Sequence, residues 1–161
     1  MIKMIRIDER LIHGQVALIW TKHLGVDRIV VVNDKVSQNL TMVSTLKMAA
    51  PDNVKCIVLG VENGIELLND PRTESLKILV VLNNVEDAKV LCQRVKNIPL
   101  LNVGNYGRAD GNTAEKEKIT DNLFLTEKDK ADFKEIFETG VEVEYQIVPD
   151  QLKKKMKELI K

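Results

Sequence analysis

Short apolar runs rich in β-branched residues alternate with amphipathic stretches along the whole chain. The run Ile29–Val32 is continuously apolar, which is typical of a parallel strand covered on both faces. The pattern predicts strands at seven places: Ile2–Asp8, Arg28–Asn33, Val54–Leu59, Lys77–Asn83, Pro99–Val103, Ile119–Leu125 and Val141–Val148.

Between the predicted strands, apolar residues recur at the spacing of a helix face. One such set is Val85, Ala88, Leu91, Cys92 and Val95. A second helical segment begins near Ser37 and is expected to end at Pro51, because proline does not continue a helix.

The ends of the later helices are also marked in the sequence. Thr126 and Asp129 have the spacing of a capping box, in which each side chain satisfies a backbone N–H of the other residue. Gly140 is expected to end that helix, and Pro149 is placed to begin the last one.

The alternation of strands and helices predicts a doubly wound α/β fold. We expect a mostly parallel central sheet of about six or seven strands with helices on both faces. The chain has 161 residues, which fits a single domain over residues 1–161. The exception to the pattern is Asn102–Thr113, a loop rich in glycine and asparagine that is too long for a simple connection.

Composition narrows the class of protein. Lys and Arg number 24 and Asp and Glu also number 24, so no net charge favours a nucleic acid as the main ligand. Cys56 and Cys92 are far apart and outside any C-x-x-C pattern, and we expect both thiols to be buried and reduced in a cytoplasmic protein. No segment approaches the roughly 18 apolar residues that a membrane span requires, so membrane association would need a partner.

Polar residues follow several of the predicted strands. In a parallel sheet the carboxyl ends of the strands lie along one edge, where ligands bind. These residues are Asp8, Arg10 and His13 after the first strand, Asn33 and Asp34 after the second, Asn83 and Asn84 after the fourth, and Asn102, Gly104, Asn105 and Arg108 after the fifth.

His13 is the strongest candidate for chemistry. An imidazole is a nucleophile near neutral pH, and His13 lies at the predicted start of a helix, whose N–H groups attract anions. Arg6 and Arg10 precede it, and guanidinium groups match the geometry of phosphoryl oxygens. These features suggest a histidine that carries phosphate.

The run Arg6–Val16, RIDERLIHGQV, followed by Trp20, closely resembles the active-site segment of IIB components of the mannose/fructose/sorbose family of the bacterial sugar phosphotransferase system. The Asn-Val-Gly run at Asn102–Gly104 also resembles a segment of this family. The resemblance implies a phosphocarrier that accepts a phosphoryl group from a IIA protein or domain and passes it to a sugar held by the IIC and IID membrane components. No cofactor and no metal are expected.

The resemblance also implies roles for individual residues. His13 becomes phosphorylated, and Arg10 contacts the phosphoryl group. Gly14 and Gln15 offer backbone N–H groups to it. Asp8 either orients Arg10, Arg6 or the imidazole, or is a turn former at the strand end. The expected walls of the site are Arg6, Asn33, Asp34, Asn102 and Gly104.

Four apolar or aromatic positions near His13 have other expected roles. Trp20 and His23 are expected to pack along the apolar face of the first helix. A carrier must present His13 to its partners, so Leu11 and Ile12 beside it are expected to be exposed contacts for IIA. The alternative is that they are core residues at the start of the helix.

Two further classes of protein compete with the phosphocarrier. A receiver-like signalling domain would take phosphate on Asp8 or Asp34, but it has no need for the Arg-x-x-His-Gly run. A nucleotide-binding enzyme would need a glycine fingerprint after the first strand, and the sequence contains no G-x-x-x-x-G-K.

Overall fold

A computed structural model describes residues 1–160. The strands are β1 (Ile2–Ile7), β2 (Arg28–Val32), β3 (Lys55–Leu59), β4 (Ile78–Leu82), β5 (Leu101–Val103), β6 (Glu117–Thr120), β7 (Leu123–Leu125), β8 (Val143–Tyr145) and β9 (Lys154–Lys155). The helices are α1 (Gly14–Leu24), α2 (Asp34–Ser37), α3 (Leu40–Ala49), α4 (Val61–Asn69), α5 (Val85–Arg94), α6 (Glu127–Glu138) and α7 (Met156–Leu159), with a 3-10 helix at Pro71–Ser75.

The described residues form a seven-stranded sheet in the order β3-β2-β4-β1-β5-β8-β9. All neighbours pair in parallel except β9, which runs antiparallel to β8. The predicted doubly wound α/β fold is therefore confirmed. Strand β1 lies between β4 and β5, so the loop that follows β1 emerges in the middle of the sheet edge.

Each face of the sheet is covered by its own apolar layer. One layer contains Trp20 of α1 and Leu46 of α3, and the other is formed by helices α4 to α7. Successive residues of a strand point to opposite faces. Met4 accordingly packs with Trp20, while Ile5 and Ile7 pack in the other layer.

Two predicted elements are wrong. The predicted strand Ile119–Leu125 is the β6–β7 hairpin, which pairs antiparallel and lies outside the main sheet. Pro149 does not begin a helix, because the Gln146 side chain donates to the carbonyls of Pro149 and Gln151 at 3.1 and 2.6 Å and holds this segment in a turn. The last helix begins at Met156 instead.

The helix predicted from about Ser37 to Pro51 is confirmed as α3, and the short helix α2 that precedes it was not predicted. Asn33 caps α2 and Asn39 caps α3, each through a side-chain oxygen that accepts a backbone N–H in the first turn. The capping box of Thr126 and Asp129 is confirmed at the start of α6. Helices α2, α3 and α6 therefore begin where a local polar side chain satisfies one of their first N–H groups.

The two thiols differ in burial. Cys92 is buried, as predicted, whereas Cys56 on β3 is only half-buried. Burial raises the pKa of the Cys56 thiol to about 11 and that of Cys92 to about 12. Both cysteines are unbridged, and both remain thiols rather than thiolates at neutral pH.

The faces of helix α1 were predicted only in part. Trp20 is buried, as expected. His23 is exposed rather than packed in an apolar stripe, and its ring meets the edge of Trp20 with the ring centres 5.9 Å apart. Across residues 1–160, every helix is too short or too polar to cross a membrane.

Candidate functional site

His13 lies where the loop after β1 meets helix α1. It is the N-cap residue, with an extended backbone, and Gly14 follows in a left-handed conformation at φ +45°. Leu11 also has a positive φ, of 59°, so the chain turns sharply just before His13. The imidazole is partly accessible, with 22% of the side chain exposed.

Asp8 connects His13 to the interior. Its Oδ2 lies 3.2 Å from Nε2 of His13 and 3.0 Å from Nη2 of Arg6, and its Oδ1 accepts the backbone N–H of Arg10 at 3.1 Å. The carboxylate is fully buried. Because a carboxylate accepts hydrogen bonds, Nε2 of His13 is the protonated nitrogen, and the lone pair of Nδ1 remains for other chemistry.

Arg6 pairs with the Asp8 carboxylate on its buried side. Its guanidinium is buried, donates to the side-chain oxygen of Asn102 and to the carbonyl of Gln146, and lies 5.3 Å from the Trp20 ring centre. Burial lowers the pKa of Arg6, and the neighbouring Asp8 carboxylate opposes that effect. The salt bridge to Asp8 is thus what keeps a buried cation in this position.

Gly104 makes room for this buried arginine. A Cβ at residue 104 would lie 2.3 Å from Nη2 of Arg6. Asn102 sits directly opposite Arg6 in the pairing of β5 with β1. Arg6, Asp8, His13, Asn102 and Gly104 therefore form one connected cluster at the carboxyl edge of the sheet.

Three further candidates lie close to His13 in the sequence: Arg10, Gly14 and Gln15. Gly14 and Gln15 open helix α1, where the first N–H groups have no carbonyl partner within the helix and carry its positive dipole end. Arg10 is exposed. It lines a cleft of about 240 Å³ together with Glu9, Asn105, Arg108, Ala109 and Asn122.

Glu9 makes a structural contact next to the site that the sequence did not single out. Its Oε2 accepts the backbone N–H groups of Gly107, Arg108 and Ala109 at 2.8, 3.2 and 3.1 Å. The side chain thereby fastens the glycine-rich loop after β5 to the loop after β1. No local pattern signals this contact, since the partners lie 98 to 100 residues away.

Asn33 and Asp34 lie apart from the His13 cluster. Asn33 caps α2 and donates to Asn83 at 3.0 Å, and Asp34 accepts the N–H of Val61 at 2.8 Å. Both line a separate cleft of about 530 Å³ at the ends of β2 and β4, together with Asn83 and Asn84. Strand β4 separates β2, which leads into Asn33 and Asp34, from β1, which leads into the loop with His13.

The expectation that Leu11 and Ile12 are exposed docking contacts is wrong. Only 7% of Leu11 and 5% of Ile12 is accessible, and both belong to the apolar layer around Trp20. The sharp turn at Leu11 points these side chains inward while the imidazole stays at the surface.

A metal centre has no support in the part of the chain that the structure describes. Residues 1–160 contain no group of three or more His, Cys, Asp or Glu side chains arranged to hold a metal ion. The cluster offers instead a nucleophilic nitrogen, an exposed guanidinium and a helix N-terminus, which together suit a phosphoryl group.

Comparison with known proteins identifies the family. The family model for the PTS system sorbose subfamily IIB component matches residues 2–161. The chain belongs to this family. It is therefore a IIB component of the sorbose/mannose type, with a phosphocarrier role in sugar uptake by the phosphotransferase system (PTS).

Individual relatives agree over the full length of this IIB component. The "Probable phosphotransferase enzyme IIB component" of Streptococcus pyogenes serotype M6 is 39% identical over 162 residues, covering 99% of both chains. The mannose-specific EIIAB component of Escherichia coli K12 is 34% identical over 159 residues, which are 99% of this chain and 48% of that protein.

A solved structure shows the same fold. The IIBSor domain of the sorbose permease from Klebsiella pneumoniae superimposes with a TM-score of 0.91 at 26% identity, covering 99% of this chain and 95% of that one.

Proposed function

We propose that this IIB component accepts a phosphoryl group on His13 from a phosphorylated IIA protein or domain and transfers it to a sugar held by the IIC and IID membrane components. The main support for this proposal is the hydrogen bond between the buried Asp8 carboxylate and Nε2 of His13, the N-cap residue of α1. That bond fixes the ring and leaves one nitrogen available.

Nδ1 of His13 is the proposed nucleophile. Its lone pair forms the new N–P bond as the N–P bond to the donor histidine breaks, and the bonding pair returns to the donor nitrogen. Nε2–H keeps its hydrogen bond to Asp8, which stabilises the positive charge on the phosphorylated ring. In the second transfer His13 is the donor: the Nδ1–P bond breaks and its bonding pair returns to Nδ1, while a sugar hydroxyl bonds to phosphorus and loses its proton to solvent.

Arg10 and the N-terminus of α1 stabilise the negative charge of the phosphoryl group. The exposed guanidinium of Arg10 can pair with phosphoryl oxygens, and its backbone is fixed by the hydrogen bond to Asp8. The N–H groups of Gly14 and Gln15, at the N-terminus of α1, are further donors for an anion. These donors position the group without a metal ion or cofactor.

The partners follow from the family. The relative from E. coli is named a mannose-specific EIIAB component, so IIA and IIB are parts of one protein there. This supports a IIA donor for the present chain. The site would act in the cytoplasm at the inner face of the IIC and IID transporter, which selects the sugar.

The receiver-like alternative is less well supported. A carboxylate phosphate acceptor needs an accessible oxygen, but Asp8 is fully buried and both its oxygens accept hydrogen bonds. Asp34 is exposed, but its Oδ1 is engaged with the backbone of Val61 and its cleft lacks the His13 cluster.

The stability of the phosphate label tests the proposal. The purified protein is incubated with the general phosphocarrier proteins of the system, phosphoenolpyruvate labelled on phosphorus and IIA. We expect a label that survives alkali and is lost in mild acid, as for a phosphoramidate. A label that is stable in acid and lost in alkali would indicate an acyl phosphate and would overturn the proposal.

A further inference from the structure

Two arginines that line one cleft differ from all the others in the chain. The sequence contains six arginines. Within residues 1–160, four of them form salt bridges with carboxylates: Arg6, Arg28, Arg72 and Arg94. The other two, Arg10 and Arg108, come from different loops and line the same cleft of about 240 Å³.

Arg108 is held in place by neutral groups. Its Nη1 donates to the carbonyl of Asp121 at 2.9 Å, and its guanidinium lies 5.9 Å from the ring centre of Phe124. A guanidinium has five N–H donors, so this arrangement orients the group and leaves donors for a further acceptor.

The nearby charges leave the cleft positive. The Glu9 carboxylate lies at its wall but already accepts three backbone N–H groups of the loop. Asp110 is paired with Lys116 at 3.1 Å, and Asp121 is paired with Lys118 at 2.9 Å. Arg10, Arg108 and Glu9 are the charged residues that line the cleft, and together they leave it with one net positive charge.

Asn105 and Asn122 also line the cleft. Amide N–H groups next to guanidinium groups are typical partners of phosphoryl oxygens. We propose that this cleft binds phosphoryl oxygens and that Arg108 is a second guanidinium donor beside Arg10. The part of this inference that concerns transfer at His13 rests on the proposed function, while the binding of phosphate does not.

Titration of the full chain with inorganic phosphate at low ionic strength, followed by amide chemical shifts, tests the cleft. We expect saturable shifts at Asn105, Arg108 and Ala109. Because a charge-assisted hydrogen bond is lost, Arg108→Ala should weaken binding about tenfold. Arg72→Ala, which removes a guanidinium that is 90% exposed on another part of the surface, should bind as the wild type does.

Three results would overturn the inference: no phosphate binding by the wild type, shifts confined to other regions, or equal binding by Arg108→Ala and the wild type. Chemical shifts that stay native outside the loop after β5 would show that Arg108→Ala is folded. Arg108→Lys keeps the charge without the planar fork and should restore binding only in part.

Transfer kinetics separate this inference from the proposed function. If Arg108 acts during transfer, Arg108→Ala should slow phosphorylation by IIA, while Arg72→Ala should not. Normal labelling of His13 in Arg108→Ala would remove Arg108 from the transfer step and leave the proposed function intact. Phosphate binding that depends on Arg108, with no labelling of His13 in the wild type, would refute the proposed function alone.

Discussion

Asp8 is the residue on which the geometry around His13 depends. One buried carboxylate accepts from Arg6, His13 and the backbone of Arg10. The sequence left open whether Asp8 orients a neighbour or forms the turn at the strand end. It does both, because one oxygen faces the side chains and the other faces the backbone.

Replacement of Asp8 should destabilise the fold. Asp8→Asn removes the negative charge beside the buried Arg6 guanidinium, and loss of one partner of a buried ion pair costs about 3–5 kcal/mol. Urea unfolding would measure the change in the free energy of unfolding. Asp52→Asn removes a charge from an exposed position and serves as the control. Equal stability of Asp8→Asn and Asp52→Asn would contradict the role of Asp8.

Arg10 should matter for transfer and not for folding. Its side chain is exposed, whereas its backbone N–H makes the contact to Asp8. We expect Arg10→Lys to slow phosphorylation by IIA although the charge is kept, and Arg10→Ala to slow it further. Arg94→Lys, on a helix away from the cluster, is the matched control. Transfer rates equal to the wild type in both Arg10 variants would exclude Arg10 from the site.

At the scale of elements, the glycine-rich loop after β5 depends on Glu9. The N–H groups of Gly107, Arg108 and Ala109 converge on a single carboxylate. Gly107 has a φ of +97°, and a Cβ there would lie 2.0 Å from the carbonyl oxygen of Phe124. The loop conformation therefore requires both the glycine and the distant acid.

Removal of the Glu9 carboxylate should loosen this loop. Glu9→Ala leaves the three N–H groups without their acceptor; Arg108 and Ala109 are exposed and can bind water instead, but Gly107 is buried, and an unsatisfied buried donor costs about 1–3 kcal/mol. Hydrogen exchange at residues 107–109 should become faster in this variant. In Glu62→Ala, which removes a carboxylate that is 75% exposed, exchange in the loop should not change. Unchanged exchange in Glu9→Ala would show that other contacts hold the loop.

Helix caps and buried strands could be predicted from the sequence, whereas side-chain hydrogen bonds in irregular segments and the pairing of individual strands could not. The capping box of α6 and the positions of the parallel strands follow from local patterns. The turn after Pro149 depends on hydrogen bonds from the Gln146 side chain. Strands β6 and β7 pair with each other outside the main sheet, and the apolar pattern of this segment does not reveal that pairing.

At the scale of the whole molecule, the strand order builds the cluster around His13. Arg6 and Asn102 are 96 residues apart in the chain but lie opposite each other because β1 pairs with β5. The sequence predicted that polar strand ends share one edge, but it could not predict which strands are neighbours. For that reason it grouped Asn33 and Asp34 with His13, although they line a different cleft.

Leu11 belongs to the core, which gives a direct test of the corrected docking expectation. Leu11→Ala should cost about 2–5 kcal/mol in the free energy of unfolding, because it leaves a cavity beside Trp20. Leu152→Ala, at a position that is 80% exposed, should leave stability nearly unchanged. A stable Leu11→Ala variant with weakened affinity for IIA would restore the docking role.

The central claim is that phosphate is carried on Nδ1 of His13, and the chain has only two histidines with which to test it. Phosphorylation by IIA is followed in the wild type, His13→Ala and His23→Ala, and the labelled nitrogen is assigned by NMR of the imidazole rings. We predict full labelling of His23→Ala, no labelling of His13→Ala, and phosphorus on Nδ1. Labelling of His13→Ala, or phosphorus on Nε2 of His13, would contradict the account.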